Sequence, residues 1–344
     1  MGWVEVMEQL YRRGRSGKTI RPFSRTARVR NRGLSQGLER VMTDFGADSS
    51  FAKAVEKVGE HYGFEVNESA VRAVTEKHGN EMQLEMEMEA RLPEKGVFQL
   101  LGEMDGVLLP IVEICEGEGD KRKRRSSKYK EAKLCLAGQV GSVERRYRAT
   151  MGGVEEAGKQ WKGCVVEAGG GKNTQLHCVG DGAKWIIGQA VKQFGEEAKY
   201  LVDFYHLSEY LAKAGEKIGE AEGKSWFKKA QEKMKMNQSE EVLRELGKYV
   251  EAENIADVDA PVRKCWRYIL NRKGSLDYQG AIEKGLPIGS GEIESGNKSV
   301  VQNRLKIAGA WWTGENAEKM LGLRVTRANG EWNSYWKQQR QAHA

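Results

Sequence analysis

The chain has no apolar run approaching the ~18 residues that a membrane-spanning helix requires, so no spanning helix is expected. Its opening, Met1-Gly2-Trp3-Val4-Glu5, lacks a charged region followed by an apolar one, so no secretory signal is expected. Cysteine is scarce. Cys115, Cys135, Cys164, Cys178 and Cys265 are scattered, and no two form a C-x-x-C pair. An odd, dispersed set argues against a disulfide framework and a zinc knuckle, and it fits a reducing cytoplasm. Gly169-Gly170-Gly171 lacks the spacing and the Lys-Ser/Thr of a phosphate-binding loop and reads as a turn. No Ser or Tyr nucleophile with an arginine cluster can be placed, and no internal repeat or low-complexity tract is evident.

What is present is charge. Of 344 residues, 31% are charged and 39% hydrophobic, which suits long solvated helices, and the length suggests about two domains. Lys and Arg outnumber Asp and Glu by 56 to 49. The excess is clustered. Between positions 12 and 32 stand Arg12, Arg13, Arg15, Lys18, Arg21, Arg25, Arg28, Arg30 and Arg32, with no acid among them. Lys121, Arg122, Lys123, Arg124 and Arg125 form a second run. Each run is either a solvated loop or a phosphate contact, because clustered cations release condensed counterions on binding a polyanion.

Periodicity divides the chain. Residues 1–34 read as a flexible basic arm. Residues 35–92 read as helices: Leu38, Val41, Met42 and Phe45 recur at helical spacing behind a Ser35 cap. A second helix follows Ser50 and stops at Gly63, and a third is capped by Asn67. This is a helix-turn-helix or a plain helical hairpin. Residues 93–205 read as strands and helices. Phe98–Met104 and Val107–Cys115 are expected to be two strands meeting at Asp105-Gly106, followed by strands over 132–140 and 143–150. A helix over 153–167, a strand over 175–179, a helix over 185–194 and a strand over 200–202 complete this part. Residues 206–284 are almost wholly helical, and 285–344 return to the core. The order is a mixed α/β layer with helices on its sheet, and a ribonuclease-H-like core with an all-helical insertion has this order.

Cutting a phosphodiester needs an activated water and a stabilised leaving oxygen, and two Mg²⁺ ions supply both. Mg²⁺ prefers carboxylate oxygen. Asp105 sits at a break in an apolar strand pair, where an acid is costly unless paired or metal-bound. Asp181 ends a strand between two glycines, which permit close approach. Either Asp-Gly alone is an ordinary turn. Glu292 and Glu294 are two apart, so on a helix only one of them can face the other acids. His206 either polarises a phosphate or is bonded to Asp203 at a helix start. Lys298, Arg304, Lys306 and Trp312 follow the glutamates, and cations with aromatics suit phosphate contact and base stacking. Core packing is the alternative for at least one Trp.

These residues lie in motifs that resemble the ISKra-type insertion-sequence transposases. The motifs are Asp-Gly-Val, Gly-Asp-Gly-Ala-Lys-Trp-Ile, Val-Asp-Phe-Tyr-His-Leu and Gly-Ser-Gly-Glu-Ile-Glu-Ser. Val-Val-Gln-Asn-Arg-Leu-Lys-Ile-Ala-Gly-Ala-Trp-Trp-Thr, Met-Leu-Gly-Leu-Arg and Arg-Ala-Asn-Gly-Glu-Trp-Asn-Ser-Tyr-Trp continue the likeness. They span roughly Ser35 to Trp336 in the family's order. The resemblance implies a DD(E) transposase with a ribonuclease-H-like core, in which Asp105, Asp181 and Glu294 hold two Mg²⁺ ions, with Mn²⁺ as a substitute. Asp203 and His206 are similar to an Asp-x-x-His motif and take auxiliary roles; the competing assignment puts Asp203 in the triad. The implied reaction is cleavage of a DNA strand by water, then attack of the freed 3′-hydroxyl on target DNA. The implied partners are transposon-end and target DNA and further copies of the chain, in the cytoplasm at the nucleoid. The alternatives are a DNA-binding protein of this fold without catalysis and a nuclease of this fold that only hydrolyses.

Overall fold

Three consecutive helices form because each carries its own start signal. The Ser35 hydroxyl accepts from the Leu38 N–H at 3.3 Å at the head of α2 (Gln36–Asp48). Ser50 does the same for Lys53 at the head of α3 (Phe51–Tyr62), and the Asn67 carboxamide accepts from Ala70 N at 2.7 Å before α4 (Glu68–Met86). Each side chain satisfies a donor that a helix start leaves unpaired. Gly63, at φ +70°, ends α3 in the left-handed conformation that glycine adopts freely. This computed structural model describes the chain apart from residues 1–4, 13, 15–16, 18, 28–32, 64, 87–88, 119, 121–123, 196–197 and 343–344. Within the expected basic arm, the described residues form β1 (Tyr11–Arg12), which pairs with β2 (Thr19–Ile20), and α1 (Pro22–Ala27). Arg13, Arg15, Lys18, Arg28, Arg30 and Arg32 lie outside the described residues.

The chain groups into two compact units, Met1–Met88 with Leu108–Glu131 and Lys298–Ala344, and Glu89–Val107 with Ala132–Asn297. In the first, α2, α3 and α4 enclose Met42, Ala54, Val58, Val71 and Val74. Helix α14 (Gly314–Ala328) packs tightly on α4, because Gly79 and Gly322 let the backbones meet. A Cβ on Gly79 would stand 2.5 Å from the Lys319 carbonyl oxygen. Helix α15 (Trp332–Ala342) places Tyr335 and Trp336 against the buried His78 ring.

The second unit is built on a five-stranded sheet of order β5-β4-β3-β6-β7. Its strands are β3 (Gln99–Ile114), β4 (Arg125–Gln139), β5 (Arg146–Thr150), β6 (Gln175–Gly180) and β7 (Ala198–Val202). β5 runs antiparallel to β4, while β6 is parallel to both β3 and β7. Alternation along the strands separates two cores. Leu100, Met104, Leu176 and Cys178 face α5 (Val154–Glu167) and α6 (Lys184–Phe194), packing around Trp161 and Ile186. Leu101, Val179 and Leu201 face the opposite way, onto the helices that follow β7. These are α7 (Phe204–Ile218), α8 (Glu220–Lys235), α9 (Ser239–Leu246), α10 (Pro261–Leu270) and α11 (Tyr278–Glu283). They are the expected helical stretch after position 206. Helix α12 (Gly291–Gly296) leads through a π-helical stretch, Asn297–Gln302, into α13 (Asn303–Leu305).

The protein is thus a mixed α/β fold with flanking helices and separate helical regions. One expectation needs correction. Asp105-Gly106 does not divide two strands; β3 runs through it without a break. β3 pairs with β6 only as far as Glu103, but β4 is its hydrogen-bonded neighbour on the other side, and sheet pairing overrides the local turn preference of Asp-Gly. No helix among the described residues is long and apolar enough to cross a membrane.

Candidate functional site

In the second unit, the period of two places Glu103 and Asp105 on the same face as Leu101. Asp181 stands one residue beyond the end of β6. The parallel register pairs Glu103 with Val179. That pairing stops two residues short of each aspartate. Gly182, at φ +76°, turns the chain after β6, and the Asp181 carboxylate accepts from Ala183 N at 2.8 Å. The helical segment after β7 braces this turn. The Tyr268 hydroxyl donates to the Asp181 carbonyl at 2.6 Å, and Arg272 Nε donates to the Gly182 carbonyl at 2.8 Å while its guanidinium lies 3.9 Å from the Tyr268 ring centroid.

Helix α12 docks on β3 through two polar contacts. Ile293 N donates to Glu103 Oε2 at 2.7 Å, and Asn297 Nδ2 donates to Asp105 Oδ2 at 2.6 Å. Ile293, Gly296 and Asn297 are buried, so that face of the helix meets the sheet. Glu292 and Glu294 flank it on opposite sides. Glu292 is engaged by Arg145, whose Nη2 donates to Oε1 at 2.7 Å and whose Nε makes a second contact. This pair raises the Arg145 pKa further. The Glu294 carboxylate is exposed and takes no hydrogen bond or ion pair among the described residues. The π-helical stretch begins at Asn297 itself, and π-helical turns are frequent at functional sites.

Asp203 has a different environment. It is 3% exposed, and both oxygens are used. Oδ1 accepts from Tyr205 N at 2.6 Å and His206 N at 2.9 Å, capping α7; Oδ2 accepts from Ser290 N and Ser290 Oγ, each at 2.6 Å. It therefore pins the Gly289-Ser290-Gly291 loop before α12 to the end of β7. The His206 ring does not meet the Asp203 carboxylate. It packs edge-on to Tyr210 and Tyr268.

Glu103 was not singled out in the sequence. It is fully buried, and its Oε1 has no hydrogen-bond partner. Burial raises its pKa to about 8, against the opposing effect of the Ile293 N–H, and the charges of Glu292 and Asp203 add to the rise. Its spacing from Asp105 was the available signal. Asn297, three residues past Glu294, carried a similar one. Nothing local marks Arg145.

Asp105, Asp181 and Glu294 thus stand on β3, at the turn after β6 and on α12. Their donor chemistry suits a hard divalent cation. As they stand, however, no three or more His, Cys, Asp or Glu among the described residues are gathered as a metal cage. Asp105 is turned to Asn297, Asp181 to the Ala183 N–H, and Glu294 to solvent.

The expected DNA-contact residues lie mostly in the first unit, and they divide. Lys298 and Lys306 are exposed. Arg304 and Trp312 are 2% and 4% exposed, inside the fold rather than on its surface. The Trp312 indole N–H donates to the Leu305 carbonyl at 3.0 Å, and its ring packs on Arg304. Trp311, its neighbour, is the exposed one. Arg124 Nη1 donates to the Cys115 carbonyl at 2.8 Å, and Arg125 is exposed in β4. Lys121, Arg122 and Lys123 lie outside the described residues.

The chain matches the model of the uncharacterised protein family UPF0236 over residues 27–341 and belongs to that family. Comparison with curated proteins gives no match.

Proposed function

We propose that the chain is a DD(E)-type transposase with a ribonuclease-H-like core, in which Asp105, Asp181 and Glu294 hold two divalent cations. The observation that carries this reading is the parallel β3–β6 register. It pairs the strand that carries Asp105 with the strand that leads to Asp181, and Asn297 ties α12, bearing Glu294, to Asp105. The element order agrees: three strands, helix, strand, helix, strand, helical insertion, then the glutamate helix.

Each neighbouring residue has a part in this reading. Asn297 orients the Asp105 carboxylate. Arg145 engages Glu292, which leaves Glu294 as the uncommitted acid of the pair. Asp203 fixes the loop from which α12 starts, so it is a positioning residue and not a ligand. Tyr268 and Arg272 hold the turn that presents Asp181. Bound by the three carboxylates, paired cations supply an activated water and stabilise the leaving oxygen.

A second reading, a DNA-binding protein of this fold without catalysis, draws on one observation: the three carboxylates are not gathered into a cage as they stand. A cleavage and strand-transfer assay separates the two. It uses the purified full chain, Mg²⁺ and duplexes carrying the ends of its own element. Asp105→Ala, Asp181→Ala and Glu294→Ala should each abolish cleavage while DNA binding persists. Cleavage by all three variants at the unmodified rate would reject the transposase reading.

A further inference from the structure

The first unit contains a cavity of about 460 Å³, within the range of sites that hold small organic groups. Arg304 lines it. The guanidinium lies over two aromatic rings that meet edge-on, 5.1 Å from the Phe51 centroid and 4.8 Å from that of Trp312. Its Nε donates to the Gly46 carbonyl at 2.9 Å, but Nη2 is buried with no partner. Burial lowers its pKa to about 10, with the Arg324 charge adding to the effect. A buried cation without a carboxylate partner is costly, and stacking on aromatic faces offsets only part of that. A hydrogen-bond acceptor entering the cavity, such as the ring nitrogen or carbonyl oxygen of a nucleobase, would give Nη2 its missing partner.

The mouth carries the complementary feature. Trp311 is 61% exposed, and the exposed Arg72 and Arg125 stand among the lining residues. Two acids also line the cavity: Glu68 is exposed to solvent, and Glu76 accepts from the Asn316 carboxamide at 2.9 Å and has its pKa raised by burial. An apolar peptide has no use for three arginines, and a bare phosphate has none for an exposed indole. A flat aromatic ring joined to a phosphate uses both.

We propose that this cavity receives one unstacked nucleobase of a DNA strand, with Trp311 stacking on the base and Arg72 and Arg125 taking its phosphate. The proposal rests on the reading of the chain as a DNA-acting protein and adds to it a subsite for a base outside the helix. Stacking on an aromatic is tolerant of sequence, so the site recognises that a base is unpaired rather than which base it is.

The test uses the full chain and two labelled duplexes of the same sequence, one fully paired and one with a single bulged nucleotide, in fluorescence anisotropy titrations. The unmodified protein should favour the bulged duplex. Trp311→Ala should weaken that complex by about 5- to 150-fold, the loss of one base–aromatic stack, and leave the paired duplex unchanged. Trp311→Phe should restore most of the preference. Because Trp311 is exposed, its removal leaves the core intact, and circular dichroism checks this. Equal affinity of the unmodified protein for both duplexes, or a Trp311→Ala variant that keeps the preference, overturns the base pocket alone. Failure to bind either duplex overturns the DNA reading as well.

Discussion

Asp203→Ala removes four hydrogen bonds at once, and the structure sets the size of the effect. Loss of the α7 cap costs about 1 kcal/mol, with a range of roughly 0.5–2. Ser290 is buried, and its N–H and hydroxyl lose their acceptor. Leaving such groups unsatisfied costs about 1–3 kcal/mol each. Partial relaxation of the loop brings the sum to roughly 3–5 kcal/mol. In a domain of about 150–250 residues each kcal/mol lowers Tm by about 2–4 °C, so the melting transition of the sheet unit should fall by roughly 6–20 °C. Differential scanning calorimetry measures this directly. Asp203→Asn keeps one acceptor oxygen for the α7 cap and should lose about half as much. If Asp203 were a metal ligand instead, its removal would abolish cleavage and leave Tm nearly unchanged. A variant within about 2 °C of the parent, less than 1 kcal/mol on this scale, would refute the latch.

Three further perturbations probe α12 and the contacts of His78. Gly296→Ala puts a Cβ 2.9 Å from Tyr147 Cε1 and 3.2 Å from Leu134 Cδ2; it should destabilise by about 1–3 kcal/mol and reduce cleavage by lifting α12, and an unchanged urea midpoint would contradict this packing. Glu292→Gln should keep cleavage while weakening the fold, since Arg145 loses its carboxylate, whereas Glu294→Gln should keep the fold and lose cleavage; the reverse pattern in paired melting and cleavage assays would transfer the role to Glu292. The docking of α15 should depend on pH. Burial lowers the His78 pKa, but its hydrogen bonds to Glu39 and Glu81 outweigh this and leave it raised above 6.5, so that stabilisation is complete below about pH 6.5 and is lost as pH rises through the folded value. Glu81, held at about 2 chiefly by its hydrogen bond to His78, contributes above its ordinary 4.5 and loses that contribution as pH falls toward 2. Melting temperature should therefore be highest between about pH 4.5 and 6.5, and His78→Gln should flatten the alkaline side; an unaltered profile in that variant would refute the assignment.

Local chemistry made much of this architecture readable. Ser35, Ser50 and Asn67 mark helix starts because a cap is a contact within three residues. Strand alternation made the sheet visible, and the helical run after position 206 was plain from its charge and spacing. The misreading at Asp105-Gly106 came from applying turn chemistry to a strand whose neighbours are distant in sequence. The site follows the same division. Asp105 and Asp181 were legible as candidate acids, but the pairing of β3 with β6 is set only by the folded sheet. Arg145 lies 147 residues from Glu292, so no spacing rule reaches it. Trp311 and Trp312 are identical in sequence terms; which is buried depends on the pairing of Val112 N with the Trp312 carbonyl at 2.7 Å.

The convergence of Asp105, Asp181 and Glu294 on shared cations can be measured without turnover. Electron paramagnetic resonance titration of Mn²⁺ into the full chain, with pre-cleaved element-end DNA bound and target DNA withheld, counts the tightly held ions. Two should be held by the parent protein, with loss of at least one in each of Asp105→Asn, Asp181→Asn and Glu294→Gln. Binding of Mn²⁺ by the Glu294→Gln protein with the parent's stoichiometry and affinity would contradict the assignment.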